Sequence, residues 1–424
     1  MSRTLELFKE LSKYRRGSGE TKEGFEFLLG FCARTGAKTS SDAAGNILAS
    51  IGAPKICFQS HYDMVVIGEH PPKILREGDW LRAANGTLGA DNGIGAALML
   101  ALIEEGCEGD YLFTNDEEIG LIGANNLRVF PSATKIVNLD SEEEGAITIG
   151  CAGGADYLLS LPFSLEPIDE KAFRAYRVAA KGCVGGHSGV DIHRGIPNAI
   201  VEICRYLFNN GAKLASINGG ERLNSIAKNA EAIAFFPIEV APKNAEFIEI
   251  APFNASFNAM INSRAILSAL TLVPSGVLGY DARYNVTSRS NNLATIKTES
   301  DRLELTLFAR GGSENDLDAT DSQIAALAEL GGFTLSRLGR YPSWSAVETP
   351  LSDLALTLMR AEGLSPKIGA IHAGLECGIL IDKTPNAQCA SIGPTIEFPH
   401  SDRERVFLPS VERLYRVAKR FVEA

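Results

Sequence analysis

The sequence predicts an α/β protein of two domains, a mainly parallel-sheet domain interrupted by an inserted α+β domain. Three observations carry this. Strand and helix signals alternate through about the first 150 of 424 residues, which implies βαβ units and a largely parallel sheet. The middle of the chain instead shows half-exposed alternating segments, the pattern of an antiparallel sheet with helices on one face. The βα pattern then returns after Tyr341-Pro342. The boundaries are read as 1–155 and 341–424 for the first domain and 156–340 for the second.

Taken in order, Leu5–Lys13 and Gly24–Thr35 carry helical apolar spacing. The stretch from Met1 to Glu6 lacks the apolar h-region of a secretory signal and reads as the start of an amphipathic helix. Asn46–Ala49 and Lys55–Gln59 read as strands. Gly93–Glu105 is a strong helix closed by Gly106. Asp110–Thr114 and Lys135–Leu139 are short buried strands, with a helix expected at Ala124–Val129. In the middle, Ala175–Lys181, Ala232–Val240 and Arg302–Phe308 alternate as strands, and Pro197–Phe208 and Asp321–Leu330 read as helices. A helix at Leu351–Ala361, strands near Ile368 and Gln388, and a helix at Ser410–Phe421 close the chain. There is no internal repeat and no low-complexity tract.

Composition narrows the function. A hydrophobic share of 45% and a charged share of 22% describe a globular protein, and no apolar run approaches the roughly 18 residues of a membrane span. A net charge of −11 argues against nucleic acid as a main partner, because phosphate binding wants a basic face. The 8 cysteines include no C-x-x-C pair, which fits reduced thiols in a cytoplasmic protein. Cys151, Cys183 and Cys377 flank glycine-rich turns, where packing is the reading and a catalytic thiol the alternative.

Chemistry concentrates in a series of stretches that end buried runs: Ser60-His61-Tyr62-Asp63, Gly89-Ala90-Asp91-Asn92-Gly93, Asn115-Asp116-Glu117-Glu118, Asn138-Leu139-Asp140 and Pro399-His400-Ser401. Together they supply the imidazoles and carboxylates for a pair of divalent metal ions, at the strand ends where an open α/β sheet binds ligands. His61 and Asp63, one residue apart, project to one face of an extended segment, so one can ligate while the other fixes its tautomer. Asp91 precedes a helix and either caps it or bridges two ions. Glu117 and Glu118 would repel each other at the end of an apolar strand unless a cation stands beside them. One then binds metal and the other takes a proton from the attacking water. Asp140 ends a second buried strand and His400 adds the second imidazole. If His400 joins the cluster of His61, the middle domain must be an insertion.

The order H-x-D, G-A-D-N-G-I-G, D-E-E-x-G, N-L-D-S-E-E, P-H-S resembles the M20 metallopeptidase family. Gly150-Cys151-Ala152-Gly153-Gly154, Gly185-Gly186-His187-Ser188-Gly189 with Asp191-Ile192-His193, and His372-Ala373-Gly374-Leu375-Glu376-Cys377-Gly378 resemble its aminoacyl-histidine (Xaa-His) dipeptidase branch over nearly the whole chain. The resemblance implies a zinc-peptidase catalytic domain with the inserted domain as a lid and dimerisation domain. It implies His61, Asp91, Glu118, Asp140 and His400 as metal ligands, with Asp91 bridging, Glu117 as general base and Asp63 orienting His61. His187 would stabilise the oxyanion. Asn224 resembles a lid asparagine, although Ala227 stands where proline is common. Arg310 would clamp a substrate carboxylate through its planar fork, with a surface arginine as the alternative. His372 and Gly374 would line the pocket. The implied cofactor is two zinc ions, replaceable by cobalt or manganese.

The function so implied is hydrolysis of a dipeptide's peptide bond, with a small peptide as partner, no membrane partner, a homodimer and a cytoplasmic location. The chain departs from the branch in being shorter and in the stretch Val65–His70, which puts C-terminal histidine specificity in question. Rival readings are a tripeptidase, an N-acyl amino acid deacylase, or a non-catalytic peptide-binding protein.

Overall fold

Four short strands, Gly109–Thr114, Cys57–His61, Lys135–Asn138 and Gln388–Ser391, lie side by side and parallel at the centre of an eight-stranded sheet. Their residues are buried almost throughout, so both faces of the sheet are covered, as parallel sheets require. The sheet turns antiparallel outward from this centre. Ile47–Ile51 pairs with Gly109–Thr114, Lys38–Ser41 with Ile47–Ile51, and Ala146–Cys151 with Gln388–Ser391. The computed structural model describes residues 2–254, 258–384 and 386–424. The expected start of the first helix at Met1 lies outside them, and the helix is Arg3–Leu11.

The chain forms two compact units. The first comprises Met1–Cys151, Trp344–Ala370 and Leu375–Ala424, so it is assembled from both ends of the sequence. The second comprises Ala152–Ser343 and Ile371–Gly374.

In the first unit, helix Ala90–Glu104 crosses from Cys57–His61 to Gly109–Thr114 and packs on the sheet and on Arg3–Leu11. Its apolar residues point in every direction, the pattern of a helix enclosed on all sides. Leu98→Ala is expected to cost about 2–5 kcal/mol of unfolding free energy in a denaturant titration, because a filled interior leaves the cavity open. The helix expected at Ala124–Val129 is only one turn, Ile122–Asn125. The Arg128 N–H donates to Asp42 Oδ2 at 2.8 Å instead of back along a helix, and Pro131 follows shortly.

In the second unit the sheet runs in the order Ile248–Pro252, Phe173–Ala180, Ala230–Pro237, Lys213–Gly219, Val286–Thr298, Arg302–Gly311, Gly153–Pro162, Thr334–Tyr341. Gly276–Asp281 pairs with Val286–Thr298, and among the described residues these pairings are all antiparallel. Residues alternate, so that Leu303, Leu305 and Leu307 face one core with Tyr157 and Leu159. Helices Ala199–Asn209, Ser263–Leu272 and Glu314–Gly331 cover that core. The last begins earlier than expected because the Ser313 hydroxyl caps the Asp316 N–H. Among the described residues no helix is long and apolar enough to cross a membrane.

Candidate metal centre

The sheet order places three acidic or imidazole-bearing strand ends next to one another. His61 ends its strand, Thr114 opposite it leads into Asn115–Glu118, and Asn138 leads into Asp140. The His61 ring is buried, with Nε2 3.2 Å from Asp91 Oδ1 and 3.2 Å from Asp140 Oδ1. The other oxygen of Asp91 lies 3.1 Å from His400 Nε2, which is 2.9 Å from Glu118 Oε2. Asp91 therefore stands between two imidazole–carboxylate pairs with one oxygen toward each. Ligand atoms of His61, Asp91 and Asp140, of Asp91, Glu118 and His400, and of His61, Glu117 and Glu118 lie within 4.8 Å of one another in each group.

Several residues hold this arrangement. Asp63 Oδ1 is 3.3 Å from His61 Nδ1, which keeps the ring proton there and leaves Nε2 facing Asp91 and Asp140. The same carboxylate accepts from the Glu117 N–H at 3.0 Å, the Glu118 N–H at 3.3 Å and the Ser18 hydroxyl at 2.8 Å. The chain is not helical at Asp91 (φ −81, ψ 112) and Asn92 (φ −107, ψ 36), and it is the Asn92 side chain that caps the helix, its Oδ1 accepting from the Gly95 N–H at 3.2 Å. Among the described residues Asp91 itself makes no capping bond, and its two oxygens face different imidazoles.

Sequence reasoning missed the groups behind Asp91. Buried Glu404 accepts from the N–H groups of Leu88, Gly89, Ala90 and Asp91 at 2.7–3.2 Å. Fully buried Arg16 donates to the carbonyls of Tyr62 and Gly89. Gly89 adopts φ 70, and a Cβ there would fall 2.4 Å from Arg16 Nη2. Asn92 Nδ2 donates to Asp140 Oδ1 at 2.7 Å. The only sequence signal was a glutamate four residues after His400. Glu404→Ala leaves four buried N–H groups without their acceptor. It is expected to destabilise the protein by about 3 kcal/mol or more, read by denaturant unfolding of the metal-free form.

Electrostatics tests whether divalent ions fit. Burial pushes the Glu117 carboxyl well above its ordinary range; His61 opposes, while Asp140 and Glu118 add to the rise. Burial also raises Glu118 and Asp140. Burial would lower His400, but its bonds to Asp91 and Glu118 outweigh that and raise it to about 11. Glu118 Oε1 is buried with no hydrogen-bond partner among the described residues. Divalent cations would relieve these crowded buried carboxylates and give the orphaned oxygen a partner. Nitrogen and carboxylate donors suit divalent ions, so the residues fit.

The remaining expected residues lie in the second unit. His187 Nδ1 accepts from the Gly189 and Val190 N–H groups at 3.2 and 3.1 Å, which places the proton of a neutral ring on Nε2. His187 pairs with Ser225, and the Asn224 carbonyl accepts from the Ser188 N–H, so His187 and Asn224 share one small ladder. Arg310, His372 and Gly374 are also brought together. Arg310 Nη1 donates to the Tyr341 hydroxyl at 3.2 Å, and its guanidinium lies over the Phe308 ring. A Cβ on Gly374 would lie 3.2 Å from the Tyr341 ring, and one on Gly189 would meet both the His372 carbonyl and Arg310. His372 Nε2 is 2.7 Å from Ser290 Oγ, and burial, helped by Arg310, lowers its pKa to about 3. Cys151 and Cys377 are buried, and burial raises the Cys151 thiol to about 12, so both read as packing rather than as nucleophiles.

No family model matches the chain. It is 30% identical over 460 residues to the cytosol non-specific dipeptidase of Escherichia coli (strain K12), across 96% of this chain and 94% of the relative. That alignment is longer than the 424 residues here, so it opens gaps in this chain. Among solved structures, aminoacylhistidine dipeptidase from Vibrio alginolyticus matches with a TM-score of 0.84 and 26% identity, over 99% of this chain and 96% of that one. A tripeptidase from Staphylococcus aureus shares the fold, with a TM-score of 0.61 and 16% identity over 99% and 97% of the two chains. With its ordered ligand motifs, its metal-type centre and a full-length relative at 30% identity, the chain belongs to the M20 family of metallopeptidases, in the aminoacylhistidine dipeptidase branch.

Proposed function

We propose that this protein hydrolyses the peptide bond of dipeptides at a dinuclear metal centre. The observation that carries the reading is Asp91 placed between two imidazole–carboxylate pairs, with Glu117 alongside. His61, Asp140 and Asp91 Oδ1 would hold one ion, and His400, Glu118 and Asp91 Oδ2 the other. Bound divalent ions supply Lewis acidity, lowering the pKa of water and polarising a carbonyl oxygen. Zinc is the ion we favour, with cobalt and manganese as substitutes that the same donors accept.

The chain's own residues do the rest. Glu117 takes the proton of the attacking water and returns it to the leaving amine. Asp63 fixes the His61 tautomer and, through the Glu117 and Glu118 N–H groups, the position of the base. In the second unit, His187 presents a protonated Nε2 suited to a developing oxyanion. Arg310 is a buried guanidinium that, among the described residues, hydrogen-bonds a phenol and no carboxylate, which suits it to a substrate's carboxylate, with His372 and Gly374 in the same cluster. Asn224 is assigned to substrate binding beside His187.

The test is a hydrolysis panel of Xaa-His dipeptides, other dipeptides, tripeptides and N-acyl amino acids, run with and without chelator. Chelator-sensitive cleavage of dipeptides above the other classes is expected; preference for tripeptides or acyl amino acids would reassign the substrate, and no cleavage of any class would leave only a binding role. We further propose a homodimer, to be read as twice the 45.4 kDa chain mass in sedimentation. A cytoplasmic location fits the free cysteines.

A further inference from the structure

One buried carboxylate beside the centre has no role in the chemistry above. Glu376 opens the helix Glu376–Lys383 and is fully buried. Its Oε2 accepts from Gln59 Nε2 at 2.5 Å and from the Thr114 hydroxyl at 2.6 Å. Its Oε1 is buried with no hydrogen-bond partner among the described residues. Gln59 Oε1 in turn accepts from Asn138 Nδ2 at 2.6 Å, and Asn138 Oδ1 accepts from the Asp140 N–H at 3.2 Å. One chain of side-chain hydrogen bonds thus runs from Glu376 across three parallel strands. It reaches the residue two before His61, the residue three before Glu117, and the backbone of Asp140.

Among the described residues no lysine or arginine bonds to Glu376. Its charged neighbours include His61, Asp140, Asp63 and Glu117. A carboxylate removed from water without a counter-ion is costly, and this one lies among others. Burial accordingly raises its pKa to about 7, with Asp140 and Asp63 adding to the rise and His61 and the Thr114 bond opposing it. Cations held by the neighbouring ligands would turn that cost into attraction. Groups that support metal ligands from behind typically change metal affinity by about 10- to 100-fold.

We propose that Glu376 is a positioning residue of the metal centre: touching neither ion nor substrate, it ties together the strand ends that carry His61, Glu117 and Asp140 and adds negative charge that strengthens divalent-ion binding. The proposal rests on the dinuclear reading above.

The test is zinc titration by calorimetry of chelator-stripped wild type, Glu376→Gln and Glu376→Asp, with thermal unfolding of each stripped form. Glutamine keeps the shape and an acceptor for Gln59 and Thr114 but not the charge. Glu376→Gln is expected to bind the weaker-held ion about 10- to 100-fold more weakly. Its stripped form should unfold no lower than stripped wild type, because a buried charge has gone, and kcat should recover at saturating zinc with KM for peptide unchanged. Glu376→Asp, which keeps the charge, should stay nearer wild type. Zinc affinity of Glu376→Gln within about twofold of wild type, with or without a lowered unfolding temperature, would overturn the proposal. If Glu376→Gln does not fold, Glu376→Met, uncharged and of similar volume, takes its place in the titration. Wild type that binds no zinc would instead remove the dinuclear reading itself.

Discussion

Glu117→Ala is expected to abolish turnover while leaving the metal content of the protein intact. Glu117 and Glu118 are adjacent, but their surroundings differ. Glu118 Oε2 lies 2.9 Å from His400, in the group that includes Asp91. Glu117 has no ion-pair distance to either imidazole among the described residues, although its ligand atom falls within the group of His61 and Glu118. Its carboxyl is pushed up by burial, and a stronger carboxylate base takes a proton from water more readily. Removing a general base typically costs about 10²- to 10⁴-fold in kcat, or about 3–5 kcal/mol of transition-state stabilisation. Inductively coupled plasma analysis alongside kcat separates the two roles. Metal lost together with activity would make Glu117 a ligand, and activity retained would remove it from the chemistry.

Asp91→Ala is expected to have an effect at least as large, by a different route. Without that carboxylate, His61 and Asp140 form one half-site and His400 and Glu118 another, each left with a single imidazole and a single carboxylate. Both ions should be lost at concentrations that saturate wild type, and hydrolysis with them. The metal-free variant should be less stable than metal-free wild type at neutral pH: burial would raise the Asp91 carboxyl, but its bonds to His400 and His61 outweigh that and hold it below its ordinary range, and both pairs are lost. What should vanish is the stabilisation on adding zinc, which for one ion at 100 times its Kd amounts to about 2.7 kcal/mol. Thermal unfolding with and without zinc reads both.

The strand ends were legible in the sequence because their signals are local. A buried apolar run stopping at a histidine or carboxylate marks both a strand and its chemistry, as Cys57–His61 and Gly109–Thr114 show. The supporting groups were not. Glu404 and Arg16 act on Asp91 across 313 and 73 or more residues of sequence, through backbone atoms that no motif displays. Gln59 and Asn138 sit inside strands as polar residues whose partners appear only once the parallel register is set. The turn after Asn125 failed as a helix because the Arg128 N–H finds Asp42, a long-range preference that outweighs local propensity. Helix Ser263–Leu272 and strand Lys213–Gly219 went unassigned, since their boundaries are set by packing in the second unit's core rather than by strong turn signals.

The most direct test of the central claim is zinc titration of the chelator-stripped wild-type protein, with dipeptide hydrolysis followed at every point and Asp91→Ala carried in parallel. Two zinc ions should bind per chain, hydrolysis should rise with their binding, and Asp91→Ala should show neither. Full hydrolysis by the stripped protein, or the same binding curve for Asp91→Ala and wild type, would contradict that claim.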